Sequence, residues 1–371
     1  MRIGILGAGE LGRSLAEIFC NDKHDVVIVD NSPELLKSVS EKYDVMTICG
    51  NGTTSSVLKT VAEHVDILIA ATGDDPSNII ACQISSNLGI EKTICRLSTM
   101  DYFSEVGNFI PSLLGISHII IPEDEVTDKI ISSLSHHAIV EKMNFGFADV
   151  EITGFKIRPA SPLVGIRIKD FPDKELLSYL RFSALIRDNK FIIPHGDTIL
   201  ASCDEVYVAG KKDRIQALLE WGSTGFENSG TKRILIGGGT KLGKLLASRL
   251  SSLGYEIRLI EKDSALCEKL LDEMKKDIVV IKGSPTDADI LEEAGVNGAF
   301  AYISVMKDDE DNILSCILAK RMNAAKVINV TNRIQYQEIV SAITSIDCSI
   351  SPCLVAVNSI LRLFTTEKTR I

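Results

Sequence analysis

The sequence predicts an α/β protein: two doubly wound parallel-sheet domains in tandem, separated by a small α+β domain. Three observations predict it. Short apolar runs alternate with helical runs at both ends of the chain, a glycine-rich loop joins the first apolar run to the first helix, and the whole pattern recurs from about residue 231.

The first element, Arg2-Ile3-Gly4-Ile5-Leu6, reads as a buried strand, and Gly7-Ala8-Gly9-Glu10-Leu11-Gly12 leads from it into the helical run Arg13–Cys20. A GxGxxG loop placed between strand and helix is the phosphate-binding turn of a Rossmann-type domain. Its first Gly permits the tight turn, the second lets backbone approach a pyrophosphate, and the third lets helix pack on strand. The diphosphate then meets the positive end of the helix. A second strand, His24–Val29, ends in Asp30. A carboxylate at this place accepts hydrogen bonds from the adenosine ribose hydroxyls and repels a 2′-phosphate. Asn31-Ser32-Pro33 follows with no Arg, which favours NAD or NADH, or ATP or ADP, over NADP.

Asp44–Cys49 reads as a third strand closed by Gly50-Asn51-Gly52-Thr53, and Asp66–Ala71 as a fourth closed by Thr72-Gly73-Asp74-Asp75. Ligands of open parallel sheets bind outside the strand C-termini, so these loops flank one crevice. Lys92–Leu97, carrying the phosphate-seeking cation Arg96, and Ser117–Ile121 complete six strands, with Asn78–Leu88 an intervening helix.

The repeat begins with Arg233–Gly237 in place of the first strand. Gly238-Gly239-Thr240-Lys241-Leu242-Gly243 parallels Gly7–Gly12, Tyr255–Ile260 parallels the second strand, and Glu261 takes the place of Asp30. Gly283-Ser284-Pro285-Thr286 parallels Gly50–Thr53, Asp308–Asn312 parallels Asp74–Asn78, and Ser351-Pro352 parallels Ile121-Pro122. Thr240 stands where Gly9 does, putting a Cβ at the closest approach to pyrophosphate, and Val330 replaces Arg96. A second nucleotide site and a degenerate pseudo-repeat therefore both stay open.

Between the repeats, Phe147–Ile152 and Arg181–Ile186 read as strand-like pieces of a small α+β domain, with a Ser161–Gly165 turn, and Leu200–Val208 supplies Cys203-Asp204-Glu205 before a further strand. A Gly-, Ser- and Asn-rich linker follows.

Composition narrows the function. The 371 residues carry a net charge of −10, which disfavours nucleic acid or anionic lipid as a partner, since both need clustered Lys and Arg. The nine cysteines form no CxxC pair and read as reduced, mostly buried thiols. No signal peptide is apparent, and apolar runs such as Ile67–Ala71 fall far short of the roughly 18 residues of a spanning helix. None of the six histidines, including His136, His137 and His195, stands out as an acid/base, and no cluster has zinc-ligand spacing. Asp308–Asp311 and Glu123-Asp124-Glu125 read as acidic first turns of helices. No catalytic residue is expected.

The GAGELG loop with Asp30, GNGT, ATGDDPSN and Arg96, then SPLVG and IRDNKFIIPHGDTIL with CDEVYVAG, then GGTKLG with Glu261 and DDEDN, resemble the Trk-type potassium-uptake regulatory subunits, the TrkA family built of RCK (KTN) domains. The resemblance implies a first RCK-N nucleotide-binding domain over 1–139, an RCK-C-like domain over 140–222, a linker over 223–231 and a second RCK-N domain over 232–371. Full-length members carry a second RCK-C domain, which this pattern lacks. It also implies a cytoplasmic protein peripheral to the inner face of the membrane. Such a protein forms a homo-oligomer, a dimer or ring, beneath a membrane-embedded potassium-translocating subunit that nucleotide binding gates. Two alternatives come from other classes: an NAD-dependent oxidoreductase, because one fold hosts many functions, and a sensor of small regulatory molecules through the RCK-C-like domain.

Overall fold

The computed structural model describes residues 1–104, 111–135, 139–144, 150–157, 161–187, 190–222, 232–274, 277–341, 343 and 345–368. Outside them lie His136 and His137, residues 147–149 of one expected strand, Asp188 and Asn189, and the 223–231 linker.

Three sheets carry the architecture. In the first, β1 (Arg2–Leu6), β2 (Asp25–Asp30), β3 (Met46–Cys49), β4 (Ile67–Ala70), β5 (Lys92–Arg96) and β6 (His118–Ile120) run parallel in the order β3-β2-β1-β4-β5-β6. The connecting helices are α1 (Glu10–Asn21), α2 (Pro33–Ser40), α3 (Ser55–Ala62), α4 (Asp75–Asn87) and the short α5 (Asp101–Ser104), and α6 (Pro122–Ser135) leaves β6. Every residue of β4 is buried, as expected of a central strand covered on both faces. Strand order reverses between β1 and β4, so a crevice opens there at their C-terminal ends. Sequence sets the helix starts locally: the Asp74 carboxylate accepts from the Ser77 amide at 3.0 Å with Pro76 in the first turn.

The second sheet is antiparallel. Its strands β7 (Ile139–Asn144), β8 (Val150–Lys156), β9 (Leu180–Arg187), β10 (Lys190–Ile192) and β11 (Glu205–Lys211) lie in the order β10-β9-β11-β8-β7, with α7 (Lys174–Ser178) and α8 (Lys212–Gly222) packed on it. The described part of the strand expected over 147–152 begins at Val150 and runs on to Lys156, because its pairing with β11 holds the apolar Phe155 in the core. The IRD and CDE segments of the sequence meet here: Arg187 Nε and Nη2 each donate at 2.6 Å to the wholly buried Asp204 side chain.

The third sheet repeats the first. β12 (Arg233–Gly237), β13 (Glu256–Glu261), β14 (Ile278–Lys282), β15 (Ala301–Ser304), β16 (Val327–Val330) and β17 (Cys348–Ile350) take the order β14-β13-β12-β15-β16-β17. They alternate with α9 (Lys241–Ser252), α10 (Ser264–Glu273), α11 (Ala288–Glu293), α12 (Asp309–Arg321) and α13 (Ile334–Ser341), and α14 (Pro352–Lys368) follows β17. Asp308 caps α12 as Asp74 caps α4, accepting from Asp311 N at 3.0 Å.

The two parallel-sheet units exchange their last helices. Val126, Ile130 and Leu134 of α6 are buried in the core of the second unit beside Leu246 and Leu250 of α9. Reciprocally, Cys353, Ala356, Val357, Ile360 and Phe364 of α14 complete the core of the first unit against Leu15 and Phe19 of α1. Polar ties fasten the exchange. The buried Lys326 ammonium donates to the Ser133 carbonyl in the last turn of α6, Arg249 meets Asp128 at 2.6 Å, and the Ser359 hydroxyl donates to Glu125. The Lys92 ammonium lies 5.6 Å from the Phe364 ring centre.

Of the nine cysteines, five are buried and none is in a disulfide, but Cys49, at the end of β3, and Cys203, in the turn before β11, are exposed. Ile130→Ala, although its Cα lies in the helix following the first sheet, is expected to destabilise the second unit. Urea unfolding followed by probes placed in each unit should show a loss of about 3 kcal/mol.

Candidate nucleotide site

The crevice of the first unit is a cavity of about 450 Å³ at the strand-order reversal. Of the residues the sequence singles out, Gly7, Gly9, Asp30, Asn31, Gly52, Thr53, Thr72 and Gly73 all line it. Gly7 sits at φ +107°, a conformation that strains any L side chain, and a Cβ there would press on the Ala71 carbonyl. A Cβ on Gly12 would collide with the Gly7 carbonyl, so Gly12 is what lets α1 pack under the loop. At Gly9 and Gly73 a Cβ would meet nothing within 4 Å: both face the open crevice. Among the described residues no side chain caps α1, leaving the cap to the loop backbone.

Asp30 shapes the loop it faces. Its Oδ2 accepts from Ala8 N at 2.7 Å and its Oδ1 from Ser32 N at 2.8 Å, and each oxygen keeps lone-pair capacity for a ribose hydroxyl. Thr72 is held by the buried Asn78, whose Oδ1 takes the Thr72 amide at 3.1 Å and hydroxyl at 2.6 Å while its Nδ2 donates to the Thr72 and Arg96 carbonyls.

Three loop positions play other parts than cavity lining. Ala8 and Leu11 are buried in the core, and Glu10 pairs with Arg13 at 2.6 Å. Arg96 also stands back from the cavity lining. Its Nη1 donates to the Thr72 carbonyl at 3.2 Å, and its Nη2 meets Glu123 Oε1 at 3.3 Å. Glu123 is therefore more than an acidic first-turn residue: it is the counter-ion of Arg96, largely buried, and its Oε2 has no hydrogen-bond partner among the described residues. Burial pushes its carboxyl up from the ordinary 4.5, opposed by Arg96. Glu123 also lines a cleft of about 560 Å³ between the two units, opposite Lys241 and Lys244.

Sequence reasoning missed the apolar wall of the crevice, Leu6, Val29 and Leu35. Leu35 belongs to α2 and reaches the site only through the packing of that helix, which no local motif reports. Asn51, Asp74 and Ser77 also line the cavity and belong to motifs already visible in the repeat.

The second crevice has the same backbone and different contents. Thr240, at φ −62° and ψ 171°, adopts nearly the conformation of Gly9, at −69° and −169°. Its hydroxyl accepts from Gly243 N at 3.2 Å and donates to the Val305 carbonyl at 2.8 Å. Glu261 is buried, with Oε2 accepting from Gly239 N at 2.7 Å and Oε1 from Asp263 N at 2.9 Å. Leu242 is a core residue, Gly238 (φ +114°) lies against Met306, and the Lys241 ammonium donates to Ser98 Oγ of the first unit at 2.9 Å.

Tandem six-stranded sheets, each with a glycine loop beneath a β2-type carboxylate, define a protein built of paired Rossmann-type domains. A family model described as the TrkA-N domain matches residues 3–122 and 234–352, and one described as the TrkA-C domain matches 152–221. The chain belongs to the TrkA family defined by these domains. It is 32% identical over 364 residues to the Trk system potassium uptake protein TrkA of Halomonas elongata, covering 97% of this chain and 78% of that protein. It is 33% identical over 371 residues to TrkA homolog 2 of Methanosarcina mazei, covering 98% and 81%. Among solved structures, the GsuK RCK domain matches with a TM-score of 0.73 at 19% identity, over all of this chain and 77% of that one. The GsuK channel bound to NAD matches at 0.72 and 19%, over 99% and 64%. These structures share the fold.

The raised carboxyl of Glu123 makes a pH prediction. Its proton is held more tightly in the folded chain, so the stability linked to it is complete below the ordinary value of 4.5 and is lost as pH rises through the raised one. Glu123→Gln should flatten that decline, so the difference in urea midpoint between variant and wild type should shift in favour of the variant from pH 4 to pH 7. A constant difference across the range would show that Glu123 titrates normally.

Proposed function

We propose that this chain is a regulatory subunit that gates potassium uptake by a membrane-embedded translocating partner in response to NAD(H) or an adenine nucleotide bound in the first crevice. The observation that carries the reading is that crevice: an open 450 Å³ cavity at the strand-order reversal, with Gly9 and Gly73 bare, α1 uncapped by side chains and Asp30 at the ribose position. Gly7, Gly9, Gly52, Thr53, Thr72 and Gly73 supply the backbone cradle, and Asp30 and Asn31 face the ribose.

The relatives support the wider role. Those named above are potassium uptake proteins, one structural neighbour is a channel bound to NAD, another is GsuK bound to ADP, and a third is the human SLO3 gating ring, at a TM-score of 0.53. Among the described residues no helix is long and apolar enough to cross a membrane, so contact with a translocating partner falls to the protein's surface. The chain works in the cytoplasm, at the inner face of the membrane, as a homo-oligomer. Nucleotide occupancy shifts its conformation to the degree that the two states differ in affinity for the ligand. The exchanged helix α6, which starts beside Arg96 and ends in the core of the second unit, carries that shift between units.

Calorimetric titration with NADH, NAD, ADP, ATP and NADPH tests the site, and rescue of potassium uptake in cells lacking their own regulatory subunit tests the role. Asp30→Ala should weaken adenine-nucleotide binding by about 1.5–3 kcal/mol through loss of charged hydrogen bonds to ribose; unchanged affinity would make Asp30 structural only. An oxidoreductase of the same fold is the alternative, and reproducible hydride transfer from NADH to a small substrate would replace the regulatory reading.

A further inference from the structure

The family model covers both parallel-sheet units, yet the two crevices differ in the side chains around their glycine loops. In the second, three side chains stand where the ligand would lie. The Thr240 hydroxyl caps α9 by taking the Gly243 amide, one of the helix-terminal donors a phosphate needs, and its methyl-bearing Cβ occupies the approach that Gly9 leaves open. Glu261 is one methylene longer than Asp30, and its buried carboxylate lies against the loop: a Cβ on Gly239 would stand 3.1 Å from Oε2. Met306 replaces Thr72 and packs on Gly238, where a Cβ would be 3.0 Å from Met306 Cγ. From below, the buried Tyr302 hydroxyl and the Pro285 ring leave no room for a Cβ on Gly237.

We infer that the second crevice is closed by the protein's own side chains, so that the chain binds one nucleotide, in the first crevice, and the second loop serves as a clasp between units. The dinucleotide or adenine nucleotide that the fold implies does not fit the second loop. Desolvating its phosphates against a buried carboxylate, with the Gly243 amide already engaged, would leave charge uncompensated. The clasp is the Lys241 ammonium on Ser98 Oγ, and the Ser98 amide and hydroxyl are in turn fixed by the buried Asp75 carboxylate at 2.6–3.1 Å. The inference rests on the nucleotide reading of the first crevice for its count of one.

Isothermal titration of the full chain with NADH and with ADP measures that count. The wild type is expected to take one equivalent of either probe, and Gly9→Val none. A Cβ at position 9 meets nothing within 4 Å and Gly9 has ordinary φ, so the variant should keep the wild-type melting temperature. Should Gly9→Val nonetheless unfold, Gly73→Val, whose Cβ likewise meets nothing within 4 Å, takes its place and is expected to leave no saturable site. Two equivalents in the wild type, or one undiminished equivalent in the variant, would overturn the closure of the second crevice. No binding of either probe to the wild type would instead overturn the nucleotide reading of the first crevice and with it the count of one.

Discussion

The exchange of α6 and α14 is the constraint on which the rest of the structure depends. A parallel sheet must be covered on both faces, and in each unit part of that cover arrives from the other half of the chain. Phe19 in α1 packs on Phe364, and Leu246 and Leu250 in α9 pack beside Val126 and Ile130. Neither core is complete alone. The antiparallel module is inserted in the chain between α6 and β12. The charges at the joint follow the helix dipole: Lys326 of the second unit sits at the carbonyl end of α6, where a cation is favoured.

Within this pseudo-symmetric frame the two crevices diverge through a few side chains while the backbone stays the same. The pair Asp30 and Ala8 N, like the pair Glu261 and Gly239 N, sets the loop conformation from the end of the second strand. Given that shared loop, one methylene and one Cβ decide whether the space above it is empty. A carboxylate can thus hold a glycine loop in shape and also face a ligand, or do only the first.

The joint is asymmetric as well. On one side Arg96, bonded to the carbonyl of crevice residue Thr72, meets Glu123 at the start of α6; on the other, Val330 and Cys353 stand at the corresponding places, and Cys353 Sγ lies 3.9 Å from Ser14 Oγ. A charged link therefore joins the open crevice to one crossover helix. Glu123 is largely buried, and that burial raises its carboxyl against the opposing charges of Arg96 and Lys241.

Much of this was legible in the sequence. The strands, the loop with Asp30, the GNGT and DDPSN loops and their recurrence in the second half follow from local rules: glycines where a Cβ would strike backbone, acids capping helices, and apolar runs of strand length. The departures at Thr240 and Val330 were visible too, as was the doubt they cast on the second site. What the sequence by itself determined, then, was the two folded units and the contrast between their glycine loops, because those depend on contacts between residues near in chain or matched by the repeat. Only the tertiary structure decided which core each last helix completes, that Arg96 answers to Glu123, and that Glu261 and Met306 pack against the second glycine loop. Those outcomes depend on packing between segments far apart in the chain, and an apolar stripe on a helix states that it must be buried without stating against what.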